Sequence, residues 1–249
     1  MTEPAFKDHF SGHADSYAAH RPSYPESLFA FLASSCVDHD LAWDCATGNG
    51  QAARSLTPFF DRVIATDASE QQIASAEPHP EIEFRVALAE TSGIDAGSVD
   101  LIAVAQALHW FDIDAFFADA CRVLKPGGVL AVWSYERCLV NPECNEVIEK
   151  VFAEVEEHWP SERDIVDAHY SSITMPLPEI PVDAFEMQLD WTAAEMLAYM
   201  RTWSASRRYM QAIGSDPVAL YEQELQQKWG AGKRDLRWPL TIKVSRKPA

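Results

Sequence analysis

One stretch of sequence decides the fold of this chain: Asp44-Cys45-Ala46-Thr47-Gly48-Asn49-Gly50-Gln51. The apolar run before it predicts a buried strand, and a helical pattern begins at Gln51. Glycines in a strand-to-helix turn let the backbone pass close to a ligand, and the first N–H groups of the helix stay free to bind it. The stretch therefore predicts a ligand-binding turn after the first strand of an α/β sheet.

Asp67 is a second signal, because it ends the next predicted strand about 20 residues further on, where a ribose-binding acid is expected. The turn and the acid together predict a nucleoside-bearing cofactor. Gly48-x-Gly50-x-x-Ala53 also satisfies the looser dinucleotide fingerprint, which leaves a nicotinamide cofactor open. Asp44 favours a different cofactor, because its carboxylate would repel a pyrophosphate but attract the ammonium group of a methionine.

Short apolar runs alternate with amphipathic helices along the chain, which predicts βαβ units around a mostly parallel, Rossmann-like sheet with helices on both faces. Strands are predicted at 41–45, 63–66, 82–86, 99–105, 129–133, 183–190 and 236–245, with a turn at 125–128. A helix is predicted at 143–159, and the four prolines of 160–181 predict a covering loop. We expect a single domain, 1–249, with a core of about 36–135 and 183–249 and an insertion of about 142–181.

The composition is that of an acidic globular protein, with 47% hydrophobic residues and a formal net charge of −18. An acidic surface repels phosphate backbones and anionic lipid, which disfavours nucleic acid and membranes as partners. No apolar run is long enough to span a bilayer, and the N-terminus lacks the apolar segment of a secretory signal. The five cysteines include no C-x-x-C pair, so we expect reduced thiols in a cytoplasmic protein.

Four motifs resemble those of class I S-adenosylmethionine (SAM)-dependent methyltransferases. They are the Asp44–Gly50 turn, the strand-ending Asp67, AQALHWF at 105–111 and RVLKPGG at 122–128. The N-terminal pattern at 10–25, together with WSA at 203–205 and WPL at 238–240, is similar to the type 11 small-molecule branch, and in particular to trans-aconitate methyltransferase-like proteins. The resemblance covers nearly the whole chain and implies a seven-stranded sheet whose last strand is antiparallel.

The same resemblance implies which residues hold SAM. Ala46 departs from the family pattern, which usually has a glycine there, and we expect a negative φ that makes the alanine tolerable. Asp67 would bind the ribose, and Gln106 would approach the sulfonium. The residues implied at the methionine end are Asp44, Ala46, Gly48 and Gly50. Those implied at the adenine are Ala68, Ala89 and Glu90, and the N-terminal segment would contribute Tyr17 and Arg21.

Methyl transfer depends mainly on alignment of the acceptor with the methyl group, which can supply about 7–11 kcal/mol of the barrier. His109 is the candidate general base for an acceptor that must lose a proton, and a structural hydrogen bond is its alternative role. Aromatic side chains that could wall the acceptor pocket, or simply pack in the core, are Trp110, Phe111, Tyr135, Trp203 and Tyr209. No metal-ligand pattern occurs in the sequence, so we predict no metal.

The sequence thus predicts an enzyme that methylates a small molecule with SAM and releases S-adenosylhomocysteine. Two alternatives stay open at this point: a nicotinamide-dependent oxidoreductase, and a regulator that binds SAM without chemistry. We also expect the N-terminal segment to close over the cofactor through Tyr17 and Arg21, and the insertion to cover the acceptor, because long irregular segments in compact domains often cover binding sites.

Overall fold

The computed structural model describes residues 22–135 and 137–249 of the chain. Its centre is a seven-stranded sheet in the order β3-β2-β1-β4-β5-β7-β6. In chain order the strands are β1 (Leu41–Cys45), β2 (Arg62–Asp67), β3 (Ile82–Val86), β4 (Val99–Ala105), β5 (Leu124–Tyr135), β6 (Glu186–Trp191) and β7 (Arg234–Arg246).

Strands β1 to β5 run parallel, and β7 runs antiparallel to both β5 and β6. The predicted Rossmann-like sheet with an antiparallel last strand is therefore confirmed. The strand order reverses between β1 and β4, which are neighbours. In open α/β sheets ligands bind at such a switch point, beyond the carboxyl ends of the strands.

Nine α-helices lie in the described ranges: α1 (Glu26–Ser34), α2 (Gln51–Leu56), α3 (Glu70–Ser75), α4 (Ile113–Val123), α5 (Pro142–Glu154), α6 (Arg163–Asp167), α7 (Ala193–Thr202), α8 (Ser204–Ile213) and α9 (Glu222–Trp229). Local sequence explains where several begin. The Ser69 side chain caps α3, and the capping box of Thr192 and Glu195 starts α7. The helix predicted at 143–159 ends earlier, at Glu154, and a 3₁₀ turn follows it.

The two faces of the sheet have separate hydrophobic cores, because alternate strand residues point to opposite faces. Along β5, Ala131 and Trp133 enter the first core, whereas Leu130 and Val132 enter the second. Helices α1, α2, α5, α7 and α9 bury side chains in the first core. Helix α4 and residues from the segment 163–181, which we call the strap, bury theirs in the second.

The strap is fixed to the sheet along most of its length. The backbone N–H of Ile180 donates to Val244 of β7 at 2.9 Å, and Lys243 Nζ donates to the carbonyl of Ile173 at 2.8 Å. Tyr170 and Val166 are buried in the second core. The loop predicted at 160–181 therefore packs across a face of the sheet, and its first part reaches the loop after β4.

The turn predicted at Lys125–Gly128 lies within β5 instead of before it. The pairing of β4 with β5 jumps from Val99 and Leu124 to Leu101 and Val129, so the four intervening residues of β5 bulge out of the ladder. Gly127 has φ +79, and its N–H bonds the carbonyl of Lys247 at 2.9 Å. The two glycines therefore lie in a bulge within β5 and not in a separate turn. The strand continues through the bulge because residues near the C-terminus of the chain hydrogen-bond to it.

Candidate active site at the carboxyl ends of β1, β2 and β4

The turn after β1 has three residues in the left-handed region: Ala46 with φ +58, Gly48 with φ +58 and Gly50 with φ +94. The expected negative φ at Ala46 is wrong. Two backbone hydrogen bonds hold the turn. The N–H of Thr47 donates to the carbonyl of Thr66 on β2 at 2.9 Å, and within the turn the N–H of Gly50 donates to the carbonyl of Thr47 at 3.0 Å. These bonds impose a conformation that costs an L-residue roughly 1–2 kcal/mol.

Asp44 lies fully buried under this turn, at the end of β1. Its Oδ2 accepts a short hydrogen bond from the Thr47 hydroxyl, whereas Oδ1 has no hydrogen-bond partner among the described residues. Burial raises the pKa of this carboxyl to about 7, an effect that hydrogen bonds from the Thr47 hydroxyl and the Ala53 backbone oppose. A buried carboxylate oxygen without a partner is costly, so this arrangement fits a cationic ligand group such as an ammonium.

Asp67 is oriented by two backbone hydrogen bonds. Its Oδ2 accepts from the N–H of Gly48 at 2.8 Å, and its Oδ1 accepts from Ser69 at 2.9 Å. An ionised carboxylate has about four acceptor positions, so each oxygen can also accept from a ribose hydroxyl. Ala68 follows directly and is half-buried, at the place where the adenine is expected.

The two turn glycines are needed for different reasons. Among the described residues a Cβ on Gly48 would meet Gln72 Oε1 alone, at 3.8 Å, so this position leaves room for a ligand. A Cβ on Gly50 would lie 2.9 Å from the ring of Phe84. Gly50 is therefore favoured by its φ of +94 and by the close approach of Phe84 of β3.

The adenine region predicted at Ala89 and Glu90 lies in a 3₁₀ turn after β3. Ala89 is buried in the second core, and Glu90 Oε1 accepts the N–H of Asp112 at 2.9 Å. Sequence reasoning missed Leu88, which is 41% exposed beside them. The N–H of the preceding Ala87 donates to the carbonyl of Asp67 at 3.0 Å, which brings Leu88 next to Asp67. An exposed leucine at that place suits a flat apolar ring.

Gln106 follows β4 with φ +57, in the left-handed region. Both atoms of its side-chain amide bind the backbone of Tyr135: Nε2 donates to the carbonyl at 2.8 Å, and Oε1 accepts the N–H at 3.1 Å. The amide thus ties the end of β4 to the end of β5. Its predicted approach to a sulfonium stays a prediction, and this pairing leaves its polar atoms directed to β5.

His109 lies in a 3₁₀ turn after β4, at the sheet edge where substrates bind in this class of fold. Its Nδ1 lies 3.4 Å from the hydroxyl of Tyr170 on the strap. Burial lowers the pKa of His109 to about 4, with a further lowering from the Arg163 guanidinium and an opposing effect of Glu162. The imidazole is therefore neutral at physiological pH.

The predicted pocket aromatics do not form one wall. Trp110 packs beside His109, the candidate catalytic group, with ring centroids 4.8 Å apart and the ring planes tilted by 47°. Tyr135 is buried in the first core, and Phe111 packs on Phe116 at 5.0 Å. Trp203 belongs to a separate cluster with Phe152, Trp159 and Tyr199, and the Tyr209 hydroxyl binds Glu154.

Tyr17 and Arg21 lie outside the described residues. The part of the N-terminal segment that is described begins at Pro22, whose carbonyl accepts from Gln51 Nε2 at 2.9 Å. This bond brings the segment to the start of α2, beside the turn. Within the described ranges no group of His, Cys, Asp and Glu side chains could hold a metal ion, and no helix there is long and apolar enough to cross a membrane.

Comparisons with known proteins agree with this geometry. The sequence profile of the family described as "Methyltransferase domain" matches residues 43–132. A Dictyostelium discoideum protein described as a methyltransferase is 30% identical over 256 residues, which cover 99% of this chain and 97% of that protein. The solved structure of a type II methyltransferase from Anaeromyxobacter dehalogenans is 36% identical with a TM-score of 0.87, and the match covers 92% of this chain and 99% of that chain.

Proposed function

Because this chain belongs to the class I SAM-dependent methyltransferases, we propose that it methylates a small molecule and releases S-adenosylhomocysteine. Membership of this family removes the nicotinamide-dependent oxidoreductase as an alternative and makes the protein an enzyme. The acceptor, and the residues that bind each part of SAM, belong to the proposal.

The buried carboxyl of Asp44 is the observation on which the cofactor site rests. One of its oxygens has no partner in the described part of the chain, and it lies below a turn where Gly48 leaves space. The methionine ammonium of SAM would satisfy that oxygen. Asp67 would accept from the ribose hydroxyls, while Ala68 and Leu88 would flank the adenine. SAM, when bound, supplies an electrophilic methyl group on a positively charged sulfur.

The acceptor would lie beyond β4, beside His109 and Trp110. Displacement at the methyl carbon requires alignment more than chemical help, so the task of these residues is to orient the acceptor and exclude water. The acidic surface argues against nucleic acid as the acceptor. The free thiols of all five cysteines are consistent with a reducing compartment, and we propose the cytoplasm.

Mass spectrometry of the ligand that copurifies with the protein tests the cofactor, and release of S-adenosylhomocysteine with a panel of small acceptors tests the reaction. We expect SAM or S-adenosylhomocysteine in the wild type and loss of it in Asp44→Asn. A protein that binds neither compound by calorimetry would contradict the proposal. Binding without turnover of any acceptor would contradict the small-molecule part alone.

A further inference from the structure

His109 and Tyr170 form a pair that the proposed function does not use. The Tyr170 hydroxyl lies 3.4 Å from Nδ1 of His109, although 61 residues separate them. Tyr170 is fully buried and has φ +51, next to His169 with φ +53. Two successive non-glycine residues in the left-handed region are strained, and such strain persists where the surrounding structure imposes it, often at functional sites.

The hydrogen bond between them has a preferred direction. Burial raises the pKa of the Tyr170 phenol well above its usual value and lowers that of His109 to about 4, so both groups are neutral at physiological pH. A buried hydroxyl must donate its proton, and a neutral imidazole has one nitrogen that accepts. A hydrogen bond from the hydroxyl of Ser134, the other polar group beside the phenol, lowers the pKa of Tyr170, so Ser134 donates to the phenolic oxygen and leaves the phenol proton for Nδ1. Nδ1 is therefore the acceptor.

We propose that Tyr170 donates its proton to Nδ1 of His109 and thereby sets the tautomer that presents Nε2–H to the methyl acceptor. His109 then acts as a hydrogen-bond donor, and Tyr170 is a positioning residue that acts through it. Nε2 makes no hydrogen bond to the described residues, so it is the ring nitrogen left for a ligand. This inference rests on the proposed function, since it takes the space beyond β4 as the acceptor site.

The tautomer determines which acceptors the site can use. An N–H donor can hold an oxygen with free lone pairs, but it cannot take a proton from a hydroxyl. An oxygen acceptor at this site must therefore arrive as an oxyanion, which gives up no proton during transfer. The general base predicted at His109 is then unnecessary.

Arg163 supports an anionic acceptor at this place. Its side chain is only 16% exposed and stacks over Trp159, with Cζ 4.7 Å from the ring centroid. Nε is bound to Asp167 at 3.0 Å, while neither Nη atom hydrogen-bonds to a described residue. Its charge acts on both His109 and Tyr170, and Glu162 opposes it at His109. A fixed guanidinium with free N–H groups is a suitable partner for an oxyanion.

Nitrogen-15 NMR of the imidazole rings tests the tautomer without an acceptor. The signals of His109 are assigned by their loss in His109→Gln, in protein saturated with S-adenosylhomocysteine. We expect a non-protonated Nδ1 and a protonated Nε2 from about pH 6 to 8, and a mixture of tautomers in Tyr170→Phe. A protonated Nδ1 in the wild type would overturn the proposal. If the protein binds no S-adenosylhomocysteine, the proposed function fails instead.

Kinetics with an acceptor found by the panel provide the second test. Gln offers an N–H at a similar reach, so His109→Gln should keep much of kcat, whereas His109→Leu should lose it. Tyr170→Phe should lower kcat about three- to tenfold, the effect of one neutral hydrogen bond, with SAM affinity unchanged. Tyr221→Phe, which removes a hydroxyl bound to Glu154 elsewhere, is the control. Equal loss in the Gln and Leu variants would identify His109 as a base and refute the donor role.

Discussion

The backbone N–H of Gly48 donates to Oδ2 of Asp67 at 2.8 Å, across 19 residues of chain. The turn after β1 and the acid after β2 are therefore one unit, because the acid that would bind the ribose also holds the turn in place. Parallel pairing of β1 with β2 aligns the ends of the two strands, Cys45 opposite Thr66, and makes this contact possible.

Asp67→Asn should weaken SAM binding roughly ten- to hundredfold, because hydrogen bonds to a charged group are worth about 1.5–3 kcal/mol. Isothermal calorimetry measures the effect. Asp61→Asn is the matched control, since Asp61 is exposed at the opposite end of β2. Equal affinity in the wild type and Asp67→Asn would show that the ribose lies elsewhere.

Gly48→Val should abolish SAM binding, because the added side chain would fill the space that the open turn leaves for the ligand. The change also strains a backbone with φ +58. Gly97→Val separates the two effects, since Gly97 has φ +64 and no atom of the described residues lies within 4 Å of an added Cβ. We expect similar losses of Tm in both variants and loss of SAM affinity in the first alone. Normal SAM binding by Gly48→Val refutes this placement.

SAM affinity should rise with pH up to about 7, the pKa to which burial raises Asp44, because the ammonium binds the ionised carboxyl. It should fall above about 8 as the amino group of the ligand loses its proton. Below pH 7 binding should release a proton, which calorimetry detects in buffers of different ionisation enthalpy. In Asp44→Asn the rise toward pH 7 should vanish; its persistence would exclude Asp44 as the titrating group.

The raised pKa of Asp44 also predicts how the stability of the ligand-free protein depends on pH. The folded state holds a proton on Asp44 that the unfolded chain has lost between about pH 4 and pH 7. The free energy of unfolding should therefore fall as pH rises through this range and level off above it. Asp44→Asn should flatten this part of the profile, which urea unfolding at several pH values measures.

Ala46→Gly should stabilise the protein by about 0.5–1 kcal/mol, because glycine has no Cβ to strain at the observed φ of +58. In a chain of this size the gain corresponds to a rise in Tm of about 1–4 °C. Ala76→Gly is the control, with φ −70, and it should destabilise. A lower Tm in Ala46→Gly would show that this alanine is not strained.

The sequence determined the elements and the main binding turn, because their signals are local. Short apolar runs predicted the strands, and the local capping of α3 by Ser69 shows how sequence sets a helix start. Asp44, Gly48 and Asp67 could be selected because glycines and acids at fixed distances from strand ends are a property of the βα turn itself.

Tertiary structure alone decided those features of the site that depend on contacts between segments distant in the sequence. The positive φ of Ala46 follows from hydrogen bonds that β2 imposes on the turn, and the amide of Gln106 is directed by the backbone of Tyr135. The strap brings Tyr170 to His109 only because it packs on one face of the sheet and is pinned to β7. No local pattern encodes such a contact, since its geometry depends on how all the intervening elements pack.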